Sequence, residues 1–290
     1  MDKWPEFQSK FSESRRTWNH FPSNSLGDFI KSFHAAAAAA RATKQVKSGE
    51  NGLEWGARMS PARQRKMVLF DIDGTLLDTH GYGREAFIRG LARVTGERDE
   101  LDYVSFAGNT DRNVLEQVMT HRKTRLGAEE IRRIFACIAE ELRDLLAANP
   151  GREIAGAGAF LEHLAGTGAA LGLVTGNIRT CAYLKLGSVG FDRYFGFGGF
   201  GDEHADRAEI ARAALAEARM KGVETEPGGI CLVGDTPYDV AAGRALGIPV
   251  IGVATGKFGA ASLRAAGASL TVPNYCDIGG LLEQLGDLIK

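Results

Sequence analysis

MVLFDIDGTLLDTHG, from Met67 to Gly81, runs an apolar stretch straight into two aspartates one residue apart, Asp71 and Asp73, with Gly-Thr directly after. Met-Val-Leu-Phe has the length and composition of a short buried strand. Two carboxylates at the end of such a strand repel each other and are costly to desolvate. A fold tolerates the pair when a cation sits between them, or when one of them must carry a proton. The stretch therefore marks a site as well as a strand.

Beyond it the pattern is helical as far as residue 152. Residues 83–95 predict one helix and NTDRNVLEQVMTH, from Asn109, a second. GAEEIRRIFACIAEELRDLLAA predicts a long amphipathic third. Its residues Ile131, Ile134, Phe135, Ile138, Leu142, Leu145 and Leu146 recur at three- and four-residue spacing. Asn149-Pro150-Gly151 stops it.

Strands and helices then alternate. GAGAFLEHLAGTG reads as a helix, AALGLVT as a strand, and Asn177 to Leu186 as a helix. FGFGGF is a short strand candidate, and Ala205 to Met220 a helix. GGICLVG, PVIGVAT and SLTV are strands, separated by the helices YDVAAGRALG and SLRAAG and closed by a helix over Ile278–Leu288. This alternation predicts an α/β class: a Rossmann-like, mostly parallel sheet covered by helices, with an inserted all-helical cap. The expected divisions are a core over 66–78 and 153–290, a cap over 79–152, and an N-terminal extension over 1–65. Ligands of such sheets bind beyond the carboxyl ends of the strands. Four strands end in polar, loop-forming sequence, at Asp71, Thr175, Asp235 and Thr255. That rule brings them to one edge although they are far apart in the chain.

The extension reads differently. It holds Trp4, Trp18, Trp55 and the run HAAAAAARA, which Ser25 is placed to cap as a helix. SGENGLEWGARMSPARQRK reads as a linker. The expectation is a partly disordered segment with one helix, and a docking segment for a partner is one reading of it.

Composition narrows the classes. The chain has 290 residues, 44% hydrophobic and 24% charged, with a net charge of −1. Nothing in that balance suggests nucleic acid as a partner. No run of about 18 apolar residues predicts a membrane span, and the charged N-terminus lacks the apolar core of a secretory signal. The four cysteines, Cys137, Cys181, Cys231 and Cys276, are scattered without metal-ligand spacing. They read as inert buried thiols in a reducing compartment, with the cytoplasm as the default.

Taken in order, D-x-D-G-T at Asp71, Thr175 after the next apolar strand, and G-D-x-x-x-D at Asp235 and Asp239 resemble the haloacid dehalogenase superfamily. The likeness is to its phosphatase branch with a small helical cap, similar to phosphoglycolate phosphatases, and covers about residues 66–290. It implies that Asp71 is a nucleophile forming an aspartyl-phosphate. Asp73 then protonates the leaving oxygen and activates water. Thr175, with the backbone N–H groups of Gly176 and Asn177, would hold a phosphoryl oxygen. Mg²⁺ would be held by Asp71, Asp235, Asp239 and the backbone carbonyl of Asp73, an all-oxygen set that suits it.

The family usually supplies a lysine as the phosphate-facing cation. The corresponding region, GFGDEHADRAEIARAAL, has none. Arg207 is the best match there, with Lys257 and Arg179 as the next candidates and His204 as a bystander. In the cap, Arg84, Asn109, Thr110, Arg112 and Asn113 are candidates for substrate contact, although an ordinary helix start at Thr110 explains that segment nearly as well. Asp73 argues for phosphoryl transfer over dehalogenation. The resemblance thus implies Mg²⁺-dependent hydrolysis of a small phosphorylated metabolite, with a phosphoglycolate-like or sugar phosphate as candidate substrate. A phosphosugar mutase is the alternative. A phosphonate-cleaving enzyme would need a cap lysine such as Lys123. A non-catalytic ligand- or partner-binding protein of the same fold is the contrasting class.

Overall fold

The computed structural model describes residues 65–289. Apart from Arg65, the expected extension lies outside the described residues, together with its polyalanine helix and partner-docking segment. Strand β1 (Arg65–Phe70) alternates its side chains between two cores. Val68 and Phe70 face one side, Met67 and Leu69 the other, and none is more than 2% exposed. A strand buried on both faces has no polar alternation, which is why MVLF reads as one continuous apolar run.

Five more strands complete the main sheet: β4 (Ala170–Val174), β5 (Phe197–Gly199), β6 (Thr225–Gly234), β7 (Val250–Val253) and β8 (Leu270–Val272). The order is β5–β4–β1–β6–β7–β8 and every pairing is parallel. From β1 the chain winds outward through β4 to β5, then returns to the other side of β1 for β6, β7 and β8. The reversal lies between β1 and β6, where an open α/β sheet leaves a crevice for ligands.

Helices α4 (Ala157–Gly166), α5 (Arg179–Ser188) and α9 (Ile278–Leu288) cover one face of the sheet, packing Phe160, Leu186 and Leu281 against Phe70, Leu173 and Val233. Helices α6 (Arg207–Met220), α7 (Pro237–Leu246) and α8 (Ala260–Ala266) cover the other, packing Ile210, Val240 and Leu263 against Leu69, Val174 and Leu232. Among the described residues no helix is long and apolar enough to cross a membrane.

The helical insert follows β1. It contains α1 (Tyr82–Thr95), α2 (Asp111–His121) and α3 (Ala128–Ala148). Their own apolar cluster joins Phe87 and Leu91 to Val114 and Val118, and to Ile134, Ile138 and Leu142; Ile178 and Cys181 join it from the sheet side. The three- and four-residue spacing in α3 thus reflects real burial: Ile134, Ile138, Leu142 and Leu146 are covered, while Ile131, Phe135 and Leu145 pack at the margin. The insert leaves and returns through two short strands, β2 (Leu77–Asp78) and β3 (Arg152–Glu153), paired antiparallel.

Some local expectations need correction. Helix α5 starts at Arg179 with Ile178 as its N-cap, so Asn177 lies before the helix instead of opening it. Helix α6 starts at Arg207, because the Asp206 carboxylate accepts from the N–H groups of Ala208 and Glu209 and so fixes the start two residues after Ala205. Of the four thiols, only Cys181 and Cys231 are buried; Cys137 is partly covered and Cys276 is exposed.

Candidate active site

Asp71 is the first residue past β1, and its N–H donates to the Val233 carbonyl of β6 at 3.0 Å. That bond holds the end of β1 against β6, so Asp71 stands beside Asp235, the first residue past β6. Asp239 follows in the first turn of α7. Thr236 caps this helix: its N–H and hydroxyl donate to Asp239 Oδ2 at 3.0 and 2.7 Å. Asp239 Oδ1 faces the other carboxylates. One oxygen from each of Asp71, Asp235 and Asp239 falls within 4.8 Å of the others, and all three residues are buried.

Arg207 enters from the first turn of α6. Its Nη1 donates to Asp71 Oδ1 at 3.0 Å and to the Val174 carbonyl at 3.3 Å. Asp239 Oδ1 is 3.1 Å from the same nitrogen but out of alignment, leaving it a buried oxygen with no hydrogen-bond donor. Three ionised carboxylates against one guanidinium would leave two negative charges among buried side chains. Burial pushes Asp71 up to about 7 against the pull of Arg207, and Asp239 pushes it further. Burial and the Asp71 charge push Asp235 up to about 8. A divalent cation would balance the excess.

The donor set fits such an ion. It is all oxygen, it includes the undonated Asp239 Oδ1, and it has a cradle made by missing side chains. A Cβ on Gly256 would lie 1.7 Å from Asp235 Oδ2, and one on Gly74 would lie 2.5 Å from it. Thr75 donates to the other oxygen, Asp235 Oδ1, at 3.2 Å. A hard, oxygen-preferring ion such as Mg²⁺ is the natural occupant, and the cluster is suited to aspartyl-phosphate chemistry dependent on it.

Beside this cluster Asp73 belongs to a second set. Asn177 Nδ2 donates to Asp73 Oδ2 at 2.7 Å and to the Thr175 hydroxyl at 2.7 Å. Lys185, from the buried side of α5, reaches both Asp73 oxygens at 2.8 and 2.7 Å. The sequence reading missed Lys185. The available signal was the stripe Cys181, Ala182, Lys185, Leu186, which puts a lysine on the covered face of the helix following Thr175. Burial opposes its charge, but Asp73, with Asp111 behind it, more than offsets this and raises its affinity for the proton.

A cavity of about 340 Å³ opens over these residues, between the sheet edge and the insert. Asp71, Asp73, Thr175, Gly176, Asn177, Arg207 and Asp235 line it from the sheet; Arg84, Phe106, Asn109 and Asp111 line it from the insert. Lys257 lines it too. The other cap candidates do not. Thr110 is buried as the N-cap of α2, accepting from Asn113 N–H and donating to the Ala205 carbonyl at 3.1 Å. Arg112 turns to the Asp202 carbonyl and Glu116. Arg179 lies in an ion pair with Glu217 and over the Phe200 ring. Lys123 and His204 are also outside the cavity lining.

The span that carries these residues matches the family model described as haloacid dehalogenase-like hydrolase over residues 68–253. A phosphoglycolate phosphatase of Agrobacterium fabrum is 28% identical over 197 residues, 66% of this chain and 81% of that protein. One of Mesorhizobium japonicum is 25% identical over 193 residues, 65% of this chain and 82% of its own. In fold, the chain is similar to CbbY from Rhodobacter sphaeroides in complex with phosphate, with a TM-score of 0.58 at 20% identity, covering 74% of this chain and 97% of that one. Motif order, acids gathered at the reversal of the sheet, and a family match across the same span lead to one conclusion: the chain belongs to the haloacid dehalogenase-like hydrolases.

Proposed function

We propose that the protein hydrolyses a small phosphate monoester in two steps, with Asp71 as nucleophile and Asp73 as acid and then base. The observation that carries the reading is the buried Asp71, Asp235, Asp239 cluster at the foot of a 340 Å³ cavity. A cavity of this size between sheet and cap suits a metabolite and disfavours a folded phosphoprotein. The names of the two relatives, which align over most of their own length, make a phosphoglycolate-like substrate the first candidate. The free cysteines suit a reducing compartment such as the cytoplasm.

In this reading the phosphate enters with its ester oxygen towards Asp73. An Asp71 carboxylate oxygen bonds to phosphorus as the bond to the ester oxygen breaks. Asp73 gives that oxygen its proton. Asp73 then takes a proton from water as the water oxygen attacks the aspartyl-phosphate, releasing phosphate and restoring Asp71. The Thr175 hydroxyl accepts from Asn177, so its own proton is free for a phosphoryl oxygen. Arg207 holds Asp71 in place and opposes charge gathering on the transferring group. Asp71, Asp235, the Asp73 carbonyl and Asp239, the last directly or through water, would hold Mg²⁺. The ion supplies neutralisation of the phosphoryl charge. Of the cap candidates, Arg84 and Asn109 line the cavity and are the ones offered for substrate contact, and we keep the division into core and cap at residues 79 and 152 as part of the proposal.

The test is phosphate release from a panel of phosphorylated metabolites, with Mg²⁺ and with chelator. Turnover of a compact monoester, lost with chelator and lost in Asp71→Asn, is the expected result. Turnover by Asp71→Asn near that of the unaltered protein would remove the nucleophile assignment. Product analysis separates hydrolysis from transfer of the phosphate to a second hydroxyl, the mutase outcome.

A further inference from the structure

Lys185 is buried, with its side chain 4% exposed, while the Asp73 side chain it holds is 43% exposed and faces the cavity. Its Nζ donates to both Asp73 oxygens and, at 2.6 Å, to Asn177 Oδ1. Asn177 in turn donates to Asp73. The three side chains form a closed triangle, and the ammonium has no donor left over. On its far side the cap presses in. A Cβ on Gly83, in the first turn of α1, would come within 3.1 Å of Lys185 Nζ. Asp111, at the start of α2, is the second carboxylate whose charge reaches it.

We propose that Lys185 is a positioning residue: it fixes the Asp73 carboxylate at the leaving-group side of the cavity and faces the charge left there when Asp73 gives up its proton. The inference rests on the reading of Asp73 as acid and base. Nothing in the proposed reaction requires the lysine to touch substrate. Its anchoring in a covered helix, with the cap behind it, makes it a rigid holder for an exposed side chain that is otherwise held by Asn177. A carboxylate free to rotate would spend much of its time off the line of the breaking bond. The lysine, bonded to both carboxylate oxygens and to Asn177, completes the restraint.

An effect through the acid has a signature that a structural role lacks. Alkoxide leaving groups need the proton; 4-nitrophenolate scarcely does. The measurement is kcat/KM, which reports the step that breaks the ester bond, across a series from alkyl phosphates to 4-nitrophenyl phosphate. Lys185→Met should lose about 10²-fold on alkyl phosphates and less than about threefold on 4-nitrophenyl phosphate, so the dependence on the leaving group steepens. Lys185→Arg should recover part of the loss and, with its charge retained, provides the same readout should the methionine variant fail to fold. In an Asp73→Asn background, Lys185→Met should change kcat/KM by less than about twofold, because the group it acts through is already gone. A parallel loss across the series, or losses that add in the double variant, overturns the inference. Near-normal alkyl-phosphate turnover by Asp73→Asn alone overturns instead the reading on which it rests.

Discussion

A single nitrogen of Arg207 serves two acceptors, Asp71 and the Val174 carbonyl, with Asp239 Oδ1 near it as an ion-pair neighbour only. The residue type suggests a planar fork that grips two oxygens with two nitrogens. The structure does not use the fork in this way, and the consequence is measurable. Arg207→Ala should cost on the order of 10²-fold in kcat/KM, the scale of one lost electrostatic contact in a transition state. Arg207→Lys should return to within about tenfold of the unaltered protein, since one ammonium can do most of what one guanidinium nitrogen does. Steady-state kinetics on the best substrate checks both; a lysine variant as impaired as the alanine one would mean the fork is needed after all. At this scale the sequence was readable wherever a residue sat at a strand end. Asp71, Thr175 and Asp235 follow apolar runs, and Asp239 follows Asp235 at fixed spacing. Lys185 was harder to read: the stripe it shares with Cys181, Ala182 and Leu186 puts it on the covered face, but not beside Asp73 until the partner of that face is known.

Helix α2 docks on the sheet edge by its first turn. Asp111 N–H donates to the Gly176 carbonyl at 2.8 Å, Arg112 N–H to the Gly201 carbonyl at 3.1 Å, and the Asp111 carboxylate accepts from Ile178 N–H at 2.8 Å. The cap is thus bonded to the loop that carries Thr175 and Asn177. Burial pushes Asp111 up to about 6 from 3.8, against the pull of Lys185. For a carboxyl raised in the folded state, the folded form binds a proton more tightly than the unfolded one, so stability from this group is lost as pH rises from about 4 to about 6. Asp111→Asn keeps an acceptor for Ile178 without the charge. It should stabilise the protein by on the order of 1–3 kcal/mol at pH 7.5 and by little at pH 4. Urea unfolding midpoints at the two pH values give the comparison; an equal gap at both, or destabilisation at pH 7.5, would contradict it. Among the elements, the long helix α3 was legible because its apolar period is sustained over 21 residues. The β2–β3 pair was not, since two residues per strand are too few to show alternation, and the start of α5 slipped because Asn177 is spent on Asp73 and Thr175 rather than on a helix cap.

Across the whole molecule, the α/β class and the inserted cap could be read from the order of periodic segments. The order of strands in the sheet could not, because it is set by which helix crosses which face and leaves no local mark on the sequence. Every residue assigned to the chemistry lies between Asp71 and Asp239, and the family match begins at residue 68. Deleting residues 1–62 should therefore leave kcat and KM within about twofold, tested by assaying the shortened chain beside the full one. A tenfold fall, roughly, would give that segment a part in the site. The paired strands β2 and β3 carry a different consequence. With Asp78 opposite Arg152, the chain departs from the sheet and rejoins it at one place. An excursion whose ends already meet makes a closure demand that grows only with the logarithm of its length. The cap's length is in that sense a weak constraint on the sheet: doubling the excursion would add only about 0.6 kcal/mol to the cost of closing it.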